Sequence, residues 1–544
     1  MLDGTHARIA IIMAVITAIC PAAEQPDKSV STIPQPVSME ISDGYFQIGP
    51  DTRIIAENEA AAEAAKLIDS LASAMGFKLS LANTSRRRRG SISLRLDEDL
   101  SKLGDEGYRL RVSPRRVSIR AKEPAGLFYG IQTLRQLLPE QVFSKRKVEG
   151  AEWKVPCVRI TDYPRFGWRG LLVDPARHFI PKQDLMRFID IMALHKFNSL
   201  QIHLTDDQGW RIEIRKYPEL TRTGAWMDYT TMRSGQEAEG SGDKRPGGFY
   251  SQDDIREIVR YAAERYINIV PEIEMPAHTG AAIISYPEIG LYPEKLSALP
   301  AEKRWFANER VLAPRPKTVE FMQNVLTEVM ELFPSDYIHI GGDEANIEHW
   351  KKSEEMQALK RELGLKDEAE LHSWFIRQVD SFLTSHGRRL VGWDEILQGG
   401  LAPGATVMSW RGQQGGITAA NAGHDVVMAP TTHTYFDYYQ GPSEGEPRAI
   451  GGNLPLEKVY RFEPIPKDIT AEKTKHVLGV QGQLWGEYIS TAEHRYYMAY
   501  PRAAALAEVG WSPRAAKNYE NFLARLGCHL KRFDAAGINY RKLD

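Results

Sequence analysis

Eight short runs of apolar and β-branched residues follow one another between positions 160 and 510 of this 544-residue chain. They are Gly170–Val173, Ser199–Leu204, Ile267–Ile273, Tyr337–Ile340, Arg389–Trp393, Thr406–Trp410, Asp425–Ala429 and His476–Gln481. Amphipathic stretches such as Lys182–His195 and Lys317–Phe333 separate several of these runs and predict helices. Eight strands that alternate with helices predict an α/β fold, a (β/α)8 TIM barrel over residues 160–510.

Two smaller units flank the predicted barrel. Residues 37–155 combine two helical patterns, Ala60–Met75 and Ala125–Leu138, with alternating strand patterns such as Ser91–Leu96 and Tyr108–Val112. We therefore expect a small α+β N-terminal domain, in which no catalytic constellation is visible. Residues 511–544 predict a C-terminal helical extension.

The N-terminus has the order of a secretion signal. Arg8 precedes the apolar run Ile9–Ile19, and the small residues Ala22 and Ala23 follow it. Residues 1–23 are therefore predicted to direct export, with periplasm, cell surface and medium left open, as is lipidation of Cys20. The apolar run is too short to leave a stable membrane span in the mature chain. The polar, Pro-rich residues 24–36 predict a linker.

Composition narrows the class of partner. The hydrophobic content of 42% and the charged content of 26% are typical of a soluble globular protein. A formal net charge of −2 provides no general attraction for nucleic acid, so we expect no nucleic-acid partner. A homo-oligomer is compatible with the sequence but is not indicated by it.

Reactive and aromatic residues come directly after the apolar runs. The carboxyl ends of barrel strands meet at one face, where the active sites of this fold lie. In chain order the strand-end residues are Asp174, Arg177, His178, Asp206, Asp207, Trp210, Glu272, Glu274, His278, Asp343, Glu344, Trp393, Asp394, Glu395, Trp410, Arg411, His433, Tyr435, Asp437, Trp485 and Glu487. The repetition of this bias at eight strand ends predicts a functional site at that face.

The chemistry of these residues favours a sugar ligand. Sugar hydroxyls pair with carboxylates and arginine, and sugar C–H faces pack on flat aromatic rings. The chain has no HExxH motif and no His-x-His after the first strand, so we expect neither a catalytic metal nor another cofactor.

Three motifs carry a family resemblance. Arg169-Gly170 with Asp174-Pro-Ala-Arg-His-Phe, then His203-Leu-Thr-Asp-Asp-Gln-Gly-Trp-Arg, then His339-Ile-Gly-Gly-Asp-Glu, resemble glycoside hydrolase family 20, the β-N-acetylhexosaminidases. The resemblance covers about 160–510 as the barrel, and the region before it resembles the small domain that commonly precedes that barrel. Ala277 stands before His278 where the family usually has Gly, and we expect only a local backbone adjustment there.

The resemblance implies a substrate-assisted, retaining mechanism, in which the 2-acetamido oxygen of the substrate attacks C1. Glu344 matches the general acid and base, and Asp343 matches the residue that orients the acetamide. Since adjacent carboxyl groups repel each other, we expect one of them to have a raised pKa, as a Glu acting as an acid near neutral pH requires. His278, Asp206 and Asp207 match the residues that support this Glu.

Other strand-end residues match the substrate pocket of the family. The resemblance assigns Trp393, Trp410 and Trp485 to the walls around the N-acetyl methyl group and Tyr435 to a hydrogen bond with the acetamide oxygen. It assigns Arg169, Glu487 and Asp437 to sugar hydroxyls. Arg177 and His178 stay open, because an arginine at a strand end is often a structural ion-pair partner. The implied partners are oligosaccharides or glycoconjugates with terminal, non-reducing β-linked GlcNAc or GalNAc.

Three alternatives remain open from the sequence. A lacto-N-biosidase of the same family would release a disaccharide by the same chemistry. A carbohydrate-binding protein on a decayed barrel would need no acid, which the intact Asp343-Glu344 pair argues against. An ordinary two-carboxylate glycosidase would use Asp394 or Glu395 in its pair and would not need the acetamide.

Overall fold

The computed structural model describes residues 30–83, 89–226, 247–299 and 309–543. The predicted secretion signal, Cys20 and residues 24–29 lie outside these ranges. Within them, no helix is long and apolar enough to cross a membrane.

The N-terminal domain is a seven-stranded mixed sheet with helices on one face. Its strands are β1 (Ser38–Gln47), β2 (Arg53–Ala56), β3 (Ser80–Ala82), β4 (Ser91–Leu96), β5 (Tyr108–Ser113), β6 (Arg116–Ala121) and β7 (Lys154–Asp162), in the spatial order β1-β7-β5-β6-β4-β2-β3. Helices Ala61–Met75 and Pro124–Leu137 pack on this sheet. In β5, Tyr108, Leu110 and Val112 are buried and the residues between them face outward, as an amphipathic strand requires.

Two boundaries drawn from the sequence are wrong. β7 runs to Asp162 and pairs with β1 and β5, so the small domain ends after the predicted residue 155 and the barrel starts later than 160. Residues 31–34 are not a linker, because Ile33 is fully buried and its N–H donates to the side chain of Gln136 at 2.8 Å. The hydroxyl of Ser31 also donates to the carbonyl of Arg525 at 2.8 Å. This segment joins the small domain to the C-terminal helix.

The second domain is a closed barrel of eight parallel strands, as the sequence predicts. Its strands are β8 (Trp168–Val173), β9 (Ser199–His203), β12 (Asn268–Met275), β13 (Tyr337–Gly341), β14 (Arg389–Trp393), β15 (Thr406–Ser409), β16 (Val426–Met428) and β17 (Val477–Leu484). A two-residue hairpin, β10 (Thr205–Asp206) with β11 (Gly209–Trp210), follows β9. Every residue of β8 and β9 is buried, since helices cover one face of the strands and barrel side chains cover the other.

The helices of the barrel are uneven in length. The longer ones are Lys182–Leu194, Gln252–Ala263, Pro316–Leu332, Glu354–Glu362, Glu368–Ser385, Gln414–Ala422, Ala492–Ala499 and Arg502–Trp511, and Tyr519–Ala536 follows them. Shorter helices are Glu219–Arg222, Gly280–Ser285, Pro293–Ser297, Glu348–Lys352, Thr431–Thr434 and Leu456–Tyr460. Only a 3-10 turn, Asp394–Leu397, lies between β14 and β15. The long connection from β16 to β17 crosses the carboxyl end of the barrel.

Candidate active site

A cavity of about 310 Å³ opens at the carboxyl ends of the barrel strands. It is lined by Arg177, His203, Asp206, Glu274, His278, Asp343, Glu344, Trp393, Trp410, Tyr435, Asp437, Tyr438, Ile450, Gly451, Gly452, Trp485 and Glu487. Most of the residues predicted for the site are therefore brought together at one face, in the position that the fold favours.

The end of β13 presents two adjacent carboxylates to this cavity. Side chains of neighbouring residues on a regular strand point to opposite faces. Here Gly341 and Gly342 have φ of 67° and 89°, and Glu344 itself has φ of 47°, so the backbone turns sharply out of the strand. Both Asp343 and Glu344 reach the cavity as a result.

His278 lies between three carboxylates. Its Nδ1 is 3.3 Å from Oδ1 of Asp206, and its Nε2 is 3.3 Å from Oε2 of Glu344 and 3.6 Å from Oδ2 of Asp343. Although burial opposes a charged ring, Asp206 and Asp343 raise the pKa of His278 well above its usual range. The imidazolium form therefore connects buried Asp206 to Glu344, whose side chain is 58% exposed to the cavity.

The pKa shifts of Asp343 and Glu344 are opposite to those that a protonated Glu344 requires. The hydrogen bond with His278 lowers the pKa of Glu344, whereas burial raises the pKa of Asp343. The raised pKa expected of one member of the pair therefore belongs to Asp343, and the pKa of Glu344 is lowered instead. The proton nearest to Glu344 resides on His278.

A buried cluster of Glu272, His203 and His339 lies beneath the Asp343–Glu344 pair. Glu272 is fully buried and accepts from the indole N–H of Trp393 at 2.9 Å, while His203 and His339 lie 2.8 and 3.0 Å from its oxygens. Burial would raise the pKa of Glu272, but His339 and His203 hold it well below its usual range. Glu272 thereby fixes the plane of Trp393 at the cavity floor.

Glu274 behaves differently from Glu272. Neither of its carboxyl oxygens has a hydrogen-bond partner among the described residues, and the side chain is buried. Burial and nearby Asp343 raise the pKa of Glu274 well above its usual range, which favours its neutral form. A neutral group beneath Asp343 adds no further repulsion to the anionic pair above it.

Aromatic rings enclose one side of the cavity. The rings of Trp410 and Tyr435 are stacked with centroids 6.2 Å apart, and Trp485 lies 5.7 Å from Trp393 and 6.5 Å from Tyr435. This arrangement of rings suits a small apolar group that carries a polar end. Flat rings can pack against a methyl group, and the Tyr435 hydroxyl can reach an adjoining carbonyl oxygen.

Polar groups form the opposite side. Arg177 pairs with Asp206 and Asp174, each at 2.8 Å, and its Nη1 is 3.8 Å from Glu487. Asp437 and Glu487 each have one buried carboxyl oxygen without a partner among the described residues. Burial raises the pKa of both groups. Hydroxyl donors of a sugar would satisfy these oxygens.

The assignment of Arg169 to a sugar hydroxyl is wrong. Its guanidinium is 1% exposed and donates to Glu106 of the small domain at 2.7 and 2.9 Å, and to the carbonyl of Phe166. Arg169 is the second residue of β8, so it lies at the amino end of the barrel, whereas Arg177 follows the carboxyl end. Arg177 lines the cavity and Arg169 joins two domains.

Three neighbouring acids stay outside the cavity lining. Asp207 accepts from the backbone N–H of Gly280 at 2.9 Å and so holds the loop that follows His278. Asp394 accepts from the backbone N–H groups of Trp410 and Arg411 and from the Arg411 side chain at 2.6 Å. Glu395 accepts from the Trp410 indole. The two-carboxylate alternative therefore lacks its proposed residues at the cavity.

Among the described residues, two groups have the composition of a metal site, with ligating atoms within 4.8 Å of one another: His203 with Glu272 and Glu274, and Asp206 with Asp207 and His278. In both groups the histidine already bridges carboxylates at hydrogen-bond distances. A proton shared within each group accounts for the arrangement.

Several lining residues were missed from the sequence as site residues. His203 lies within a motif quoted above, and its buried position at a strand end is the signal that points to it. Tyr438 and the segment Ile450–Gly452 come from the long β16–β17 connection, which has no periodic pattern that would place it over the barrel.

Comparison with known proteins agrees with this geometry. Residues 166–514 match the catalytic domain of glycosyl hydrolase family 20, and residues 29–163 match domain 2 of that family. A beta-hexosaminidase of Porphyromonas gingivalis is 44% identical over 94% of this chain, and this chain spans 64% of that relative's length. A beta-hexosaminidase of Akkermansia muciniphila is 36% identical over 82% of this chain and 88% of its own length.

Solved structures resemble the fold over almost the whole chain. A family 20 exo beta-N-acetylglucosaminidase from Vibrio harveyi, solved with N-acetylglucosamine, has a TM-score of 0.82 at 33% identity, covering 96% of this chain and 81% of that one. A beta-N-acetylhexosaminidase from Streptomyces coelicolor has a TM-score of 0.81 at 32% identity, covering 94% and 97%.

Proposed function

The chain belongs to glycosyl hydrolase family 20, and on that premise we propose that it is an exo-acting β-N-acetylhexosaminidase. Its substrates are oligosaccharides or glycoconjugates that end in a non-reducing, β-linked GlcNAc or GalNAc residue. The reaction proceeds with retention through a cyclic oxazolinium intermediate formed by the substrate itself.

One observation carries this proposal: besides Glu274, three carboxyl groups that line the cavity each keep one buried oxygen without a donor among the described residues. They are Asp343, Asp437 and Glu487. A buried acceptor without a partner is costly, so the cavity is built for a ligand with several N–H and O–H donors. An N-acetylhexosamine offers an amide N–H beside Asp343 and ring hydroxyls toward Asp437 and Glu487.

Glu344 supplies the acid and base. A bound sugar covers its exposed carboxylate, and this loss of solvent favours a neutral Glu344 and a neutral His278 over the ion pair. The proton moves from His278 to Glu344 and then to the glycosidic oxygen as the C1–O bond breaks. In the second step Glu344 takes a proton from water, which attacks C1 and reopens the ring.

Asp343 acts on the nucleophile. The acetamide oxygen attacks C1, and positive charge develops on the amide nitrogen as the five-membered ring forms. The partnerless oxygen of Asp343 accepts this N–H and stabilises the charge. The rings of Trp393, Trp410, Tyr435 and Trp485 hold the methyl group in the bent conformation, so most of the advantage is proximity rather than covalent attack by the protein.

A panel of aryl β-glycosides of GlcNAc, GalNAc, glucose and lacto-N-biose tests the proposal. We expect hydrolysis of the two N-acetylhexosaminides and near-complete loss on the glucoside, which lacks the acetamide nucleophile. Release of lacto-N-biose as a disaccharide would support the biosidase alternative. Binding of GlcNAc without turnover of any substrate would support the carbohydrate-binding alternative.

Export is a separate proposal, supported by the order of Arg8, the apolar run Ile9–Ile19 and the small residues that follow. Fractionation of cells that express the full chain, with N-terminal sequencing of the product, tests it. Cleavage near Ala23 and recovery outside the cytoplasm are expected, and an intact N-terminus on cytoplasmic protein would contradict it.

A further inference from the structure

The ring of Trp410 forms one wall of the cavity, and a hydrogen bond from its indole N–H holds one edge of the ring. Its ring stacks on Tyr435, at 23° and 6.2 Å between centroids. The indole N–H donates to Oε2 of Glu395 at 2.9 Å. The stacking contact allows the ring to slide, whereas the hydrogen bond fixes its direction in the plane.

Glu395 and its neighbour Asp394 have different tasks. Asp394 accepts from two backbone N–H groups and from the side chain of Arg411, so its charge fixes the backbone that follows β15. Glu395 lies 3.6 Å from Nε of Arg411, and its carboxylate accepts its hydrogen bond from Trp410 instead.

The surroundings of Glu395 place it behind the wall and outside the sugar site. The residue is 8% exposed and is not among those that line the cavity. The charged groups that face it are Asp343 after β13, Asp394 from its own turn and Arg411 after β15. Burial and Asp343 raise the pKa of Glu395 to about 7, and both the neutral and the ionised form retain an oxygen that accepts from the indole.

We propose that Glu395 is a positioning residue that fixes the Trp410 indole and thereby sets the size of the N-acyl group that the cavity admits. This inference rests on the proposed function, because it requires the acetamide to lie against Trp410. Without the acceptor, the half-buried indole N–H would lose its partner, and the ring would turn toward another one. The Trp410 ring would then move away from the cavity, and larger N-acyl groups would fit into the cavity.

The test compares aryl β-glucosaminides that carry N-acetyl, N-propionyl or N-butanoyl groups. Glu395→Gln keeps an oxygen acceptor, and Glu395→Met keeps similar volume without one. We expect the wild type and Glu395→Gln to reject the butanoyl substrate strongly. In Glu395→Met, the ratio of kcat/KM for acetyl over butanoyl should fall at least about tenfold, as expected for the loss of one hydrogen bond that fixes the wall.

Trp410→Phe provides an independent check, since it keeps a ring but removes the N–H. If Glu395 acts through Trp410, this variant should show the same relaxed ratio, and adding Glu395→Met to it should change the ratio no further. The second arm also covers the case in which Glu395→Met fails to fold.

A wild-type acetyl-to-butanoyl ratio in Glu395→Met, or in Trp410→Phe if the former does not fold, would overturn the inference. Additive effects in the double variant would overturn it as well. Failure of the proposed function looks different, because the wild-type enzyme would then cleave the aryl glucoside at a rate comparable with the N-acetyl substrate.

Discussion

The Nε2 atom of His278 lies 3.3 Å from Oε2 of Glu344. Because Asp206 contacts the other ring nitrogen at 3.3 Å, the three residues form a chain that runs from the buried barrel interior to the reacting bond. His278 and Glu344 hold one proton between them, so the pH at which activity fails on the alkaline side belongs to the pair and not to Glu344 alone.

Asp206→Asn tests this coupling. Asp206 raises the pKa of His278, so removing its charge lowers that pKa, and the pair then loses its proton at a lower pH. We expect the alkaline limb of the kcat/KM profile to move toward acid pH, with a loss of about 10–100-fold at the optimum. An alkaline limb that stays in place despite the loss would contradict a shared proton.

Glu344→Gln tests the acid. The amide cannot give a proton to the leaving oxygen, so glycosides with poor leaving groups should lose about 10²–10⁴-fold in kcat/KM, the range for general acid catalysis. Aryl glycosides with strongly acidic phenols need little protonation and should lose much less. Equal losses on both substrates, measured on the same enzyme preparation, would exclude Glu344 as the acid.

Arg169 and Arg177 form a matched pair for separating stability from binding. Arg169→Met breaks a buried ion pair between domains and should lower the free energy of unfolding by about 3 kcal/mol, with KM of the folded enzyme unchanged. Arg177→Met removes a charged group from the cavity and should lower kcat/KM by about 10–100-fold. Urea denaturation and steady-state kinetics on both variants give the answer, and a raised KM in Arg169→Met would restore its sequence-based role.

Alanine substitutions at Gly341 and Gly364 separate the effect of crowding against Glu274 from the effect of backbone strain. Both have similar positive φ, 67° and 68°. A Cβ at Gly341 would overlap a carboxyl oxygen of Glu274, while nothing lies within 4 Å at Gly364. Alanine at Gly364 should cost about 1–2 kcal/mol for the backbone alone.

Alanine at Gly341 should cost about 1–3 kcal/mol more, because Glu274 must move and Asp343 with it. Activity per folded molecule should fall at Gly341 and stay unchanged at Gly364. Equal stabilities in thermal unfolding would show that Glu274 yields without resistance.

The barrel could be predicted from the sequence because each strand is buried on both faces and therefore appears as a continuous apolar run. The clustering of Asp343, Glu344, His278 and Trp393 then followed from strand direction alone. The same rule would have separated the two arginines, since Arg169 precedes the apolar run Gly170–Val173 and Arg177 follows it. The family resemblance assigned the wrong one, and strand polarity corrects it.

Other features depend on partners that no local pattern identifies. The composition of residues 31–34 is that of a Pro-rich linker. The segment is ordered by hydrogen bonds to the Gln136 side chain and to the carbonyl of Arg525, which are distant in sequence. The lowered pKa of Glu344 depends on a histidine from another strand end, so the repulsion between adjacent carboxylates was a poor guide to which one keeps the proton. Tyr438 and Ile450 reach the cavity through an irregular connection whose path the sequence does not indicate.

The central claim is that the acetamide oxygen of the substrate is the nucleophile. Its most direct test is kcat/KM for one aryl β-glucosaminide with N-acetyl, N-fluoroacetyl, N-difluoroacetyl and N-trifluoroacetyl groups, which differ little in size but reduce the nucleophilicity of the oxygen stepwise. Attack by this oxygen predicts a steep, continuous fall in rate along the series. A flat series would mean that the protein or a water attacks C1, and it would contradict the roles of Asp343 and of the aromatic rings in aligning the acetamide.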